Sequence, residues 1–120
     1  MHTAAEHVKC DRDIYRETIE KWGVDSQLWM AVEETAELQQ SIAHYLRGRC
    51  DEDAVAEEIA DVMLMAEEMA YVFGRERVIF WLEKKKEVVT KRLNEAEFRA
   101  SKDVMKDMEN EQDLHAEGSS

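Results

Sequence analysis

The chain has no proline, only four glycines and only two cysteines in its 120 residues. Without proline, and with so little glycine, nothing in the composition interrupts long helices or supplies the turns of a β-sandwich. Helix formers dominate, and the sequence predicts an all-α fold. Two thiols, Cys10 and Cys50, are too few for a disulfide framework and fit a reducing cytoplasm. No apolar run is long enough to span a bilayer and no secretory leader is present, so the expectation is a cytoplasmic chain with no membrane partner. Positive charge is also scarce. There are 16 lysines and arginines against 28 acidic residues, a formal net charge of -12, which argues against nucleic acid as a partner.

The acidic residues are not evenly spread. Residues 33–37 read Glu-Glu-Thr-Ala-Glu and residues 57–61 read Glu-Glu-Ile-Ala-Asp. Glu34 and Glu37 are three apart, as are Glu58 and Asp61. On a helix, each pair then shares a face, about 4.5 Å apart along the axis. Between the pairs, Arg47-Gly48 is a helix stop and Asp51-Glu52 a fresh start, so the segment is expected to fold as an αα-hairpin with the pairs at one height. Four facing carboxylates repel unless a cation sits among them. Oxygen ligands alone favour magnesium, with manganese as a substitute.

The apolar periodicity frames these pairs. Leu28, Ala31, Val32, Leu38, Ile42, Ala43 and Leu46 form one arc, flanked by Glu34 and Glu37. Val55, Ile59, Val62, Met63, Ala66, Met69, Ala70 and Phe73 form another, with Glu58 inside it and Asp61 at its edge. A carboxylate on a core-facing stripe is costly unless paired or metal-bound.

Glu33-Glu34-x-x-Glu37 followed by Glu58-x-x-Asp61 resembles the signature of the MazG-like, all-α nucleoside triphosphate pyrophosphohydrolases, over about residues 22–92. The resemblance implies a helical, homo-oligomeric enzyme that splits (d)NTPs into monophosphate and pyrophosphate with Mg²⁺. It implies Glu34, Glu37, Glu58 and Asp61 as metal ligands. Glu33 and Glu37 become the catalytic carboxylates, Glu33 orienting a ligand or the attacking water.

Four further residues are candidate substrate contacts. Gln27 lies seven residues before Glu34, on nearly the same side of its helix. Lys85 and Arg92, seven apart, project with the apolar set of a fourth helix and suit a triphosphate clamp. Trp81 completes the set. The competing reading of the two cations is snorkelling or salt bridging at a helix edge.

The expected architecture is an antiparallel bundle of about four helices, assembled into a homodimer or tetramer. A first helix runs from Thr3, as N-cap, to Trp22, and Asp25 or Ser26 caps the second. The third spans Glu52 to Phe73 and the fourth Glu76 to about Ala100. Residues 1–100 form the domain and 101–120 an acidic, partly disordered extension. Leu64, Met65, Tyr71 and Val72 widen the third helix's apolar surface and hint at a subunit interface. His7 and Cys10 are three apart, but no second pair matches them as metal ligands. A di-iron bundle needs Glu-x-x-His, and none of the four histidines follows a glutamate by three. The alternative to an enzyme is a non-enzymatic helical interaction protein whose acidic faces are only solvated.

Overall fold

The computed structural model describes residues 8–117, apart from the side chain of Glu117. They form four α-helices and, among the described residues, no strand: α1 (Asp11–Trp22), α2 (Val24–Leu46), α3 (Glu52–Phe73) and α4 (Arg75–Glu117). The all-α expectation therefore holds. The chain divides into two compact units, Met1–Val78 and Ile79–Ser120.

In the first unit α2 and α3 form the expected hairpin, and α1 packs on both. The turn is well determined chemically. Arg49 N–H donates to His44 C=O at 2.8 Å and Gly48 N–H to Tyr45 C=O at 3.0 Å, the paired bonds of a Schellman C-cap. The motif demands a left-handed residue at 48, and Gly48 takes φ 72 at no steric cost. Asp51 then caps α3 by accepting from Ala54 N–H at 2.9 Å.

Three boundaries differ from expectation. Residues 8–10 lie outside α1, and Cys10, in extended conformation, is its N-cap. Asp11 and Asp13 then occupy the first turn, where acidic groups suit the helix dipole. Thr3 and His7 lie outside the described residues. α2 begins at Val24, with Gly23 at its N-cap, so Asp25 falls in the first turn and Ser26 after it. The cause is Gly23, whose positive φ of 84 redirects the chain within a single residue.

α4 continues through 101–117, well beyond Ala100. Its 43 residues include no glycine or proline. Exposed pairs one turn apart, Glu83–Lys86 at 3.4 Å and Lys84–Glu87 at 3.6 Å, add local support. Once nucleated, such a sequence has no reason to stop.

The largest correction concerns the core. Among the described residues, only Tyr15, Ala31 and Met65 are buried apolar residues, joined by two buried polar ones, Gln27 and Glu68. Val32, Ile42 and Leu46 of α2 and Ile59, Met63, Ala66 and Phe73 of α3, all expected inside, are exposed. Met65, placed by periodicity beyond the main stripe, is buried instead. The inner face of α3 is thus turned toward its acidic side. Gln27, Ala31 and Glu34 look across from α2, and Glu58, Met65 and Glu68 from α3. Among the described residues, α1, α2 and α3 leave much of both apolar arcs exposed.

A carboxylate cluster in the helical hairpin

The seam between α2 and α3 holds the acidic pairs. One oxygen each from Glu34, Glu37 and Glu58 lie within 4.8 Å of one another. Helical spacing explains how this arises. Glu34 and Glu37 sit one turn apart on α2, and the capped hairpin turn sets α3 at the height that brings Glu58 opposite them. Glu34 and Glu58 are half-buried while Glu37 is exposed at the rim. Glu34 is therefore in the seam, where flanking had been expected.

Two atoms stand out. Glu34 Oε2 and Glu58 Oε2, one from each helix, are sealed from solvent and have no hydrogen-bond partner. Buried acceptors are seldom left this way, because each forfeits its hydration. Both groups titrate above the ordinary glutamate value of 4.5. For Glu34 the causes are burial, then the charges of Glu37 and Asp61, a side-chain hydrogen bond with Glu37, and the charge of Glu58. For Glu58 they are burial, then the charges of Glu37, Asp61 and Glu57. Asp61 is outside the close group of three, yet its charge reaches both sealed carboxylates. Glu33, next to Glu34 in sequence, is exposed.

A cleft of about 430 Å³ opens beside the cluster toward the hairpin turn. Glu37, Glu57 and Glu58 line it together with Gln40, Ser41 and His44. That volume lies within the range of small-molecule sites. Gln40, Ser41 and His44 were missed in the sequence, although the signal was there. Ser41 is seven residues after Glu34 and His44 seven after Glu37, the same two-turn repeat that singled out Gln27.

Gln27 is 3 % exposed, and Glu68 4 %. With the Gln27 amide turned so that its nitrogen faces α3, it donates to both oxygens of Glu68 at 3.0 Å. Burial raises the Glu68 carboxyl as well. A third polar link is the Tyr15 hydroxyl of α1, which donates to Glu67. Burial, followed by the bond to Glu67, holds that phenol protonated well above its usual range. Trp81, Lys85 and Arg92 belong to the second unit, on α4, and all three are exposed.

The donor set fits a hard cation. It consists of carboxylate oxygens with no thiolate or imidazole among the three that meet, and Glu34 and Glu58 each also carry a desolvated, unpartnered oxygen. Both cysteines are free: Cys10 donates to Asp13 at 3.1 Å and Cys50 to the Ser41 carbonyl at 3.5 Å. No helix among the described residues is long and apolar enough to cross a membrane. No family model matches the chain, and neither does any curated protein or solved structure.

Proposed function

We propose that the protein is a Mg²⁺-dependent nucleoside triphosphate pyrophosphohydrolase, converting (d)NTP and water into (d)NMP and pyrophosphate, of the MazG-like kind that its acidic motif resembles. One observation supports this above the rest. Glu34, Glu37 and Glu58 each bring one carboxylate oxygen within 4.8 Å of the others, and two of these residues, Glu34 and Glu58 on facing helices, also carry a sealed, unpartnered oxygen. Such an arrangement is unfavourable in an empty protein and favourable around a divalent cation.

Glu34, Glu37 and Glu58 are the primary ligands, and Asp61 completes the charge around them. A hard ion held there offsets the triphosphate's charge and the charge that develops as the α–β phosphoanhydride breaks. Glu37, shared by cluster and cleft, holds the reacting phosphate's neighbourhood open to solvent. Glu33, next to Glu34 in sequence and exposed, orients the attacking water and takes its proton. The cleft lined by Gln40, Ser41 and His44 receives the rest of the nucleotide. Its role is control of the cytoplasmic nucleotide pool, carried out by a homo-oligomer whose subunits cover each other's exposed apolar arcs.

A panel of dNTPs and NTPs, assayed for pyrophosphate release with and without Mg²⁺, tests the reading. Turnover of at least one triphosphate, abolished by chelation and by Glu58→Gln, is the expected result. The second reading, a non-enzymatic helical interaction protein, draws on the apolar side chains exposed along α2, α3 and α4. It predicts no triphosphate turnover and no rise in melting temperature with Mg²⁺.

A further inference from the structure

α4 has a pattern that hydrolysis does not use. Every described residue of this helix from Arg75 to Ala116 is exposed, yet Leu82, Val89, Leu93, Ala96, Ala100 and Val104 fall on one narrow stripe. Leu82, Leu93 and Val104 are eleven residues apart, as are Val89 and Ala100. An eleven-residue repeat gives about 3.67 residues per turn, so the stripe runs nearly parallel to the helix axis. It suits a long, almost straight helical partner.

The charges say which partner. Residues 79–95 carry five basic and three acidic side chains, while residues 96–117 carry three basic and seven acidic ones. A helix that is basic in one half and acidic in the other complements a reversed copy of itself. Register follows from the charges at the stripe. Lys86 borders it on the basic side, and Asp107 and Glu111 lie on it on the acidic side. Reversing one copy about the bond between Ala96 and Glu97 sets Lys86 against Asp107, Val89 against Val104 and Leu93 against Ala100, and leaves Leu82 at the end of the seam opposite Glu111. Parallel pairing would set Lys86 against Lys86 and Asp107 against Asp107, which repel.

We propose that residues 79–117 are an antiparallel self-association helix, and that the occupant of the α4 stripe is α4 of a second copy of this chain. Ala96 and Ala100 lie near the crossing point, where small side chains let the two backbones approach closely. Val89, Leu93 and Val104, each half or more exposed, are covered by it. The Lys86–Glu83 pair at 3.4 Å is itself exposed, so the ammonium exchanges it for Asp107 at little cost. The proposal stands independently of catalysis in the first unit.

The test uses the full chain in a Cys10→Ser, Cys50→Ser background. Val89→Cys and Val104→Cys proteins are mixed, equilibrated and oxidised. A disulfide-linked heterodimer of Val89→Cys with Val104→Cys, with neither variant linking efficiently to itself, is the expected result. Self-linking of Val89→Cys alone indicates a parallel pair and overturns the proposal. So does a monomer by sedimentation equilibrium at tens of micromolar protein. Leu93→Asp, which places a charge in the seam, weakens dimerisation by roughly a hundredfold while α1–α3 stay folded by circular dichroism. An unchanged dimer in that variant places the interface elsewhere and likewise overturns the idea.

Discussion

The hairpin seam and α4 dispose of charge in opposite ways. Between α2 and α3, carboxylates face inward, two of their oxygens lose all contact with water, and apolar side chains such as Val32, Ile42 and Met63 point out. Along α4 the charges lie in solvent, paired one turn apart by Glu83–Lys86 and Lys84–Glu87. An exposed ion pair contributes about 0–1 kcal/mol, so the solvated face of α4, away from its apolar stripe, tolerates a change of charge at little cost. A desolvated, unpartnered carboxylate costs more than that, and a fold retains it when something outside the chain compensates. The same residue type, glutamate, is a solvated surface group in one region and a desolvated, charge-crowded one in the other. Burial and partners decide which.

Substitutions in the seam should therefore act on function and stability in opposite senses, whereas equivalent substitutions on α4 should do neither. Glu58→Gln removes one charge from the cluster and is expected to lower Mg²⁺-dependent pyrophosphate release by about two to three orders of magnitude. The melting temperature of the metal-free variant should rise, because repulsion from Glu37, Asp61 and Glu57 is relieved. Glu87→Gln on α4 serves as the control, with turnover and melting temperature near wild type. A Glu58→Gln protein that retains turnover would remove the cluster from the chemistry.

The second comparison lies within the seam itself. Gln27→Leu leaves the buried Glu68 carboxylate without its donor, and the expected cost is about 2 kcal/mol in urea unfolding. Gln27→Leu combined with Glu68→Met removes both polar groups and should return most of that loss. If the double variant is no better than the single one, the pair is not coupled and the 3.0 Å contacts contribute nothing to stability.

Much of this was legible beforehand, for identifiable reasons. The hairpin followed from Gly48 and Asp51, whose roles are local and do not depend on what packs against them. The meeting of Glu34, Glu37 and Glu58 followed from helical spacing once the turn was placed. The core was less legible. Apolar periodicity marked Ile42, Leu46 and Ile59 as interior, yet which arc turns inward is settled by the facing helix, and here polar contacts such as Gln27–Glu68 occupy that side. Glu68 itself escaped notice because one more glutamate in a chain with 28 acidic residues carries no local signal. The length of α4 was underestimated because fading amphipathicity past Ser101 reads as loss of helix, although propensity alone sustains one.

A smaller effect is expected at the turn that holds the seam in register. An added Cβ at Gly48 meets nothing within 4 Å, so Gly48→Ala is opposed only by its left-handed backbone. A loss of about 1 kcal/mol is expected, with the metal-stabilised melting temperature falling in parallel. A larger loss would mean that the turn also governs how closely Glu58 approaches Glu34.

The gentlest perturbation is pH, and its sign distinguishes the seam from an ordinary acidic surface. Glu34, Glu58 and Glu68 all titrate above 4.5, each chiefly because burial disfavours its charged form. Folding then favours the protonated carboxyls. Their contribution is fully present below 4.5 and is lost as pH rises through the raised folded values. The metal-free first unit should accordingly melt a few degrees higher near pH 5 than at pH 7.5, the reverse of a protein stabilised by ion-paired carboxylates. Mg²⁺ should remove most of that slope, since a cation bound by Glu34 and Glu58 at neutral pH replaces the protons that acid supplies. Glu68, held by Gln27 rather than by the cation, should keep its share of the slope even at saturating Mg²⁺. Tracking the melting temperature of wild type and Gln27→Leu across this window, with and without the ion, separates the two contributions. A melting temperature that falls steadily on acidification of the metal-free protein would show that these carboxylates are stabilised as anions, and a cation would then have no uncompensated charge to offset.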